Sequence, residues 1–538
     1  MYTIYNILSS KKATWLFALV AVACRIINVL FVSEGGRDKI YLALQSKNLL
    51  AGNGLSISKY FAAAIETPVY DFTPMWPPGY PILLAPFLEI FEYDVYWATT
   101  TLDIISCILF IFLVRRIAIE LKFPAAAVNI VTLIAGCFDY AFIYESLPTD
   151  APSFVLFLFG SLLLLRVIQN ERLQLAKLIL VSVFLFLPCT FRYSYPPLSI
   201  AAVIAVIVWG SYVNKSMIIK KGLISLTIIS VLLIFFFIGL RSATGKSGYI
   251  VDTGRGFFPE NLLDWAPIGS GAFLNTFFTT SQLKSITGVS VGQAFNLLEI
   301  ISAIMIIGLT VFFFYLFFKK KFFRSIDPFR SFLLIGFFIS TATCTSLAYL
   351  SLTYKPQPGW GNYLGEPRYF MFVTLYLQLI FIGWVFLFPS WKKSMPPKLI
   401  IFTLSLLLFI EITHSIYFHT KVALNFDKYR SATYKEADYV YFTKMMKPIG
   451  SSNPDADIVV ISDGDEFYSL MGSFLGYKGV SDGLALTKSF SSLKKKTILI
   501  LALYDPELPS YESFLTGQRA QLLDRVNGVN FYRLDITP

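Results

Sequence analysis

Apolar runs of helical length recur along the chain as far as residue 418, broken by short polar segments. A helix crossing the hydrocarbon core needs about 20 predominantly apolar residues. The runs therefore predict spans over roughly 13–33, 95–114, 124–143, 150–168, 173–190, 196–213, 217–240, 292–318, 328–352, 369–389 and 398–418. With these eleven spans, every basic cluster falls on one side: Lys11/Lys12, Arg115/Arg116/Lys122, Arg166/Arg172/Lys177, Lys215/Lys220/Lys221, Lys319–Lys321 with Arg324 and Arg330, and Lys392/Lys393/Lys398. The positive-inside rule makes that side cytoplasmic. Segments 34–94, 241–291 and 353–368 and the tail 419–538 then lie outside.

The pattern changes after residue 418. "DIVVISD" (457–463) and "TILILALY" (497–504) are strand-like runs bounded by turn residues, 508–526 has a helical pattern, and "NFYRLDI" suits a closing strand. The expected architecture is a multi-pass α-helical membrane domain, residues 1–418, followed by a small extracytoplasmic α/β domain, residues 419–538. In the first outer segment, residues 39–51 predict an amphipathic helix along the outer surface, with Ile40, Leu44 and Leu50 on lipid and Lys39, Gln45 and Lys47 wet. The Pro-rich "TPMWPPGYP" predicts a rigid bend. Glycine-rich 241–291 predicts a mobile loop; its "GKS" lacks the upstream glycine of a phosphate-binding loop.

Composition agrees with a lipid solvent: of 538 residues 55% are hydrophobic and only 15% charged, more apolar surface than a soluble chain of this size hides. The net charge of +11 is distributed as topology signals between apolar runs, which argues against nucleic acid as a partner. The five cysteines all fall within or beside apolar runs and form no CxxC, so neither a zinc site nor a disulfide framework is indicated. His414 and His419, five apart on a helix, point in different directions and suit packing better than a metal.

Charge inside a span is costly unless paired or wetted. Arg25, eight residues before Ser33, and Asp103, nine after Asp94, lie at similar depth, about 12 Å from the outer face, which predicts an ion pair between the first two spans. Outside, acids and bases converge at several helix ends. Glu34 and Asp38 open the first outer segment; "YESLPTD" (144–150) carries Glu145 and Asp150; "FRYSYPP" (191–197) carries Arg192 and Tyr193; "YKPQPGWGNYLGEPRYF" (354–370) carries Lys355, Glu366, Arg368 and Tyr369. Such a set can hold an anion and remove a proton.

"RDKIYLALQSKNLLAGNGLSIS" followed by "PMWPPGYPILLAPF" (74–87) resembles the first outer loop of the glycosyltransferase-C superfamily, in its family 39 and lipid A aminoarabinose transferase branches. The shared order is an Arg-Asp, an aromatic three residues on, a glycine-containing helix end and a later Pro-Pro. "GEPRYFMFVTLYL" resembles the Arg-Tyr that opens a late span there. The likeness implies an enzyme that takes a sugar from a polyprenyl phosphate and places it on a lipid, glycan or protein acceptor outside the cytoplasm. Asp38 matches the first-loop acid and Arg368 the late-loop arginine that contacts the donor phosphate; Asp150 matches the second-loop acid by position. Two departures stand out. Lys39 occupies the place of a second acid in protein mannosyltransferases, and Trp76 that of a lysine in aminoarabinose transferases. "WPPGYP" is nearer to bacterial members, which implies an inner membrane with the site on the periplasmic side.

The chemistry needs a base for the acceptor hydroxyl, cations for the departing phosphate, and alignment. Asp38 is the expected base, kept ionised by neighbouring Arg37, because an adjacent cation opposes the effect of desolvation. Arg192 and Arg368 are the expected phosphate ligands, with Lys355 as a mobile supplement, since a planar guanidinium donates two parallel hydrogen bonds. Glu34, Arg37, Tyr41, Glu145, Asp150, Tyr193 and Tyr369 complete the expected substrate contacts. Direct displacement implies inversion at the anomeric carbon. No cofactor follows from the residues, although a divalent cation on the phosphate is compatible with them. Two other readings stay open: a flippase or transporter of lipid-linked sugars, its path marked by Arg25, Asp103, Glu299 and Glu411, and a non-catalytic receptor on the same fold. The first usually brings internal repeats and midplane sites, and no repeat is visible.

Overall fold

The computed structural model describes residues 2–31, 37–61, 64–72, 76–138, 149–170, 172–244, 327–353, 367–388, 395–425, 440–462, 467–480, 495–504, 514–526 and 528–536, with isolated positions between 257 and 318. In chain order the first elements are α1 (Tyr2–Leu8), α2 (Lys11–Phe31), α3 (Arg37–Leu50), β1 (Ile57–Phe61), β2 (Ala64–Asp71), α4 (Gly79–Ile90), α5 (Val95–Glu120) and α6 (Ala125–Cys137). Then come α7 (Asp150–Gln169), α8 (Leu175–Phe186), α9 (Tyr195–Tyr212), α10 (Ser216–Thr244), α11 (Pro328–Thr353), α12 (Met371–Leu387) and α13 (Met395–Leu424). The tail holds α14 (Tyr441–Ser452), β3 (Asp457–Ser462), α15 (Phe467–Phe474), β4 (Lys478–Val480), β5 (Thr497–Leu503), β6 (Gln521–Val526) and β7 (Val529–Ile536).

The chain forms two compact units: Met1–Val29 with Ile104–Tyr144 and Thr149–Leu424, and Leu30–Asp103 with Glu145–Pro148 and Asn425–Pro538. The first is helical. Among the described residues six helices, α2, α7, α9, α10, α11 and α13, are long and apolar enough to cross a membrane. α6, α8 with its closing 3-10 turn (Leu187–Thr190), and α12 are shorter apolar helices within three of the expected spans. The span expected at 292–318 and the loop at 241–291 lie almost wholly outside the described residues. Lipid offers no partner for backbone polar groups, so helices are the solution the apolar runs permit.

Two buried cations in this unit go to helix C-termini. Arg25 donates to the Ala135 carbonyl (3.2 and 3.0 Å) and the Phe138 carbonyl (2.6 Å). Lys221 donates to the Val167 carbonyl at 2.9 Å and to that of Asn170. α6 and α7 end there, and the unpaired carbonyls of a helix C-terminus carry partial negative charge.

The second unit is built on a seven-stranded sheet in the order β2-β1-β4-β3-β5-β7-β6. β3 pairs in parallel with β4 and with β5, while β7 runs antiparallel to β5 and β6. β5 is buried along its whole length, as expected of a strand covered on both faces. The boundary expected at 418/419 separates strands of one sheet: Tyr60 of β1 pairs with Val480 of β4, so the first outer segment completes the tail's sheet. The helix read over 508–526 is also corrected. Residues 514–517 are helical, but residues 521–526 are strand β6, which pairs antiparallel with β7; Gly528, just before β7, has φ +79°.

The picture of α3 as a half-wet surface helix is overturned. Its lipid-side Ile40 and Leu44 are buried, but so are Lys39, Gln45 and Ser46, because α3 packs against α4, β1 and α15. Ser46 Oγ donates to the Pro81 carbonyl at 2.9 Å, fastening α3 to α4. Lys47 donates to the Phe474 carbonyl and lies 5.2 Å from the ring centroid of Phe474.

Candidate functional site

Within the helical unit the expected residues that are described come together at one cleft. Asp150 is the first residue of α7, where exposed backbone N–H groups and the helix dipole favour a carboxylate. Arg192 lies in the turn between the 3-10 turn after α8 and α9; its own N–H donates to the Pro188 carbonyl at 3.0 Å, which fixes the turn. Its Nη1 forms an ion pair with Asp150 Oδ1, and the two side chains are each 6% exposed.

Tyr369 is contributed from much later in the chain, by a 3-10 turn (Pro367–Phe370) that leads into α12. The Arg192 guanidinium carbon stands 5.1 Å from the centroid of its ring, a cation–π contact. Tyr193 stacks near-parallel on Phe237 of α10 at 6.5 Å, and burial pushes its phenol up, keeping it a neutral donor. A cleft of about 570 Å³, measured out to solvent, is lined by these four residues together with Thr343 and Ser346 of α11. Its chemistry is a buried guanidinium held by a carboxylate and an aromatic face, with hydroxyls around it. That suits an anion with an apolar tail.

Asp38 and Tyr41 belong to the other unit. Asp38 is half-buried in the first turn of α3, and Tyr41 is buried. Next to Asp38, Lys39 makes a buried ion pair with Asp103, 3.1 Å between Nζ and Oδ2. The sequence pairs Asp103 with Arg25, which belongs to the other unit, and leaves Lys39 wet; the second expectation is the one corrected. Each of the two residues has partners inside its own unit. A carboxylate in an apolar run that must find a cation was the available signal; Lys39 was passed over because it sits in a polar stretch.

Arg37 and Arg368 are placed in helical backbone, α3 and the 3-10 turn, without described side chains. Glu34, Glu145 and Lys355 lie outside the described residues. Among the described residues no group of three or more His, Cys, Asp or Glu side chains suits a metal ion.

No protein-family model and no curated protein matches the sequence. Solved structures do match. ArnT from Cupriavidus metallidurans, in a crystal structure bound to undecaprenyl phosphate, aligns over 96% of this chain and 97% of its own at 10% identity, with a TM-score of 0.52. The same enzyme in the apo state aligns over 97% and 98% with a TM-score of 0.50. The apo oligosaccharyltransferase of Archaeoglobus fulgidus covers 94% of this chain with 71% of its own, at 13% identity and a TM-score of 0.49. The likeness is one of fold: this chain shares the fold of ArnT over nearly its whole length.

Proposed function

We propose that this chain is an integral-membrane glycosyltransferase that moves a sugar from a polyprenyl phosphate to a lipid, glycan or protein acceptor outside the cytoplasm, with inversion. The observation that carries the reading is the buried Arg192, paired with Asp150 and faced by Tyr369 at a cleft among apolar helices. Supporting it is a fold shared over nearly the whole chain with a protein crystallised with undecaprenyl phosphate. The basic clusters on one side of the apolar runs support a periplasmic site in a bacterial inner membrane.

In this mechanism Arg192, Arg368 and Lys355 receive the phosphate of the donor. Asp150 acts on Arg192, holding the guanidinium in its rotamer until the anion arrives. Asp38 takes the proton of the acceptor hydroxyl as that oxygen attacks the anomeric carbon. The bond from the anomeric carbon to the phosphate oxygen breaks and its electrons leave on the lipid phosphate, whose charge the guanidinium groups neutralise. Glu34, Arg37, Tyr41, Glu145, Tyr193 and Tyr369 position donor and acceptor. A divalent cation is not required by this scheme.

The test is transfer itself. Purified protein in lipid, given radiolabelled polyprenyl-phosphate sugar and a membrane extract, transfers label to an extractable acceptor, and Asp38→Asn abolishes the transfer. Label that crosses the bilayer without changing its carrier would instead identify a flippase.

A further inference from the structure

Two of the five cysteines are brought together by a contact that glycosyl transfer does not use. α2 and α6 run side by side. Thr14 Oγ1 donates to Asn129 Oδ1 at 3.1 Å, and a Cβ at Gly136 would stand 2.2 Å from the Cα of Ala21. So close an approach of two backbones lets short side chains meet beside it. Cys24, one turn beyond Ala21, and Cys137, the last residue of α6, have their sulfurs 3.7 Å apart, with Cys137 donating. Arg25, next in sequence to Cys24, caps α6 through the carbonyls of Ala135 and Phe138 on either side of Cys137. Both thiols are buried, 5% and 1% exposed.

A third group completes the arrangement. His419 of α13 is buried, and its Nδ1 lies 2.7 Å from the Ser415 carbonyl. A carbonyl only accepts, so Nδ1 carries the hydrogen and Nε2 presents a lone pair. Nε2 is buried without a hydrogen bond, and His419 is among the groups that act on the Cys24 thiol. Cys137 donates to Cys24, and a buried imidazole with an open acceptor nitrogen lies in the same neighbourhood.

We propose that Cys24 and Cys137 are a redox-active pair that closes to a disulfide tying α2 to α6, with His419 as the proton acceptor for Cys24. The oxidant is an external disulfide. Cys24 passes its proton to His419 Nε2, and its thiolate attacks one sulfur of that disulfide, whose S–S bond breaks and whose other sulfur leaves as a thiolate. Cys137 then loses its proton and attacks the Cys24 sulfur, displacing the remaining thiolate. Two electrons move from the pair to the external disulfide, which ends as two thiols bearing the two protons.

The full chain in membrane vesicles is treated with dithiodipyridine, a membrane-permeant aromatic disulfide, then denatured, alkylated with N-ethylmaleimide, digested and analysed by mass spectrometry. The expected product is a reductant-sensitive pair of peptides joined through Cys24 and Cys137, with Cys107, Cys189 and Cys344 outside the cross-link. His419→Gln should slow its formation by about tenfold while leaving the end point unchanged, because only the thiolate attacks. Recovery of Cys24 and Cys137 as two separate thiopyridine adducts, or alkylated as fully as in the untreated protein, overturns the proposal. An unchanged rate in His419→Gln removes His419 from it. The wild-type digest decides the pairing even where a variant fails to fold.

Discussion

Replacing Asp150 by asparagine should destabilise the helical unit more than any exposed substitution, because it leaves the Arg192 guanidinium buried without its counter-charge. Both side chains are only 6% exposed, so water cannot take over the lost interaction. Breaking one side of a buried pair costs about 3–5 kcal/mol, most of it the penalty for the charge left behind. At about 2–4 °C of Tm per kcal/mol for domains of 150–250 residues, and less for a unit this much larger, Tm should fall by no more than roughly 6–20 °C. The assay is thermal unfolding of detergent-solubilised protein at one fixed scan rate. Asp150→Asn/Arg192→Met should recover much of the loss, since it removes the stranded cation as well. Undecaprenyl phosphate should raise the Tm of Asp150→Asn by more than it raises that of the wild type, because the lipid phosphate supplies the missing anion. An Asp150→Asn protein that unfolds at the wild-type temperature would refute the pairing, and an equal ligand shift in both proteins would refute phosphate binding at Arg192.

Asp38→Asn should lower the rate of sugar transfer by about 10²–10⁴-fold, as expected for loss of a general base; kcat from single-turnover transfer checks it. Gly136→Val should lower Tm by the equivalent of about 1–3 kcal/mol and suppress the Cys24–Cys137 cross-link, because its side chain would enter the Ala21 backbone; the same scan and the peptide digest read both effects. In the sheet unit Lys478 is pulled down by burial but raised more by its bond to Asp457 (2.9 Å) and by Glu66, so its folded pKa lies above the ordinary 10.5. That stabilisation is fully present below pH 10.5 and is lost as pH rises through the folded pKa. Alkaline unfolding curves of Lys478→Met should therefore show a smaller loss of stability above that pH than the wild type shows.

The helical unit was legible because lipid enforces one rule throughout: every long apolar run must satisfy its own backbone, and so it reads as a helix. The candidate cleft was partly legible for the same reason, since Asp150, Arg192 and Tyr369 are polar residues at the ends of apolar runs, where charge needs an explanation. What failed was whatever depended on distant partners. α3 has the charge pattern of a surface helix, and nothing near it in sequence reveals that α15 will cover it. β1 is a five-residue strand whose neighbour β4 is three residues long and lies in the far tail, so neither announces the other. β6 was misread for a different reason. Its pattern is that of an edge strand with most side chains exposed, and the hairpin signal Asn527-Gly528 beside it carried more information than the spacing of its apolar residues.

Buried cations in the helical unit divide into two kinds, and the division bears on the transporter reading. Arg25, the residue that most invited an intramembrane pathway, spends three hydrogen bonds on carbonyls at the end of α6. Lys221 does the same at the end of α7. Helix C-termini hold partial negative charge whatever the protein transports, so these carbonyl bonds need no transport pathway to explain them. Arg192 differs in every respect. Its partner is a full carboxylate, its face lies against an aromatic ring, and it lines a cleft shared with two hydroxyl side chains of α11. A guanidinium in that setting can exchange one anion for another at small cost, because the charge on its far side hardly changes when a phosphate replaces or joins the carboxylate. One cluster at the end of three apolar helices, and not a series of charges through their middle, is the arrangement suited to a lipid phosphate whose head group must react where it sits.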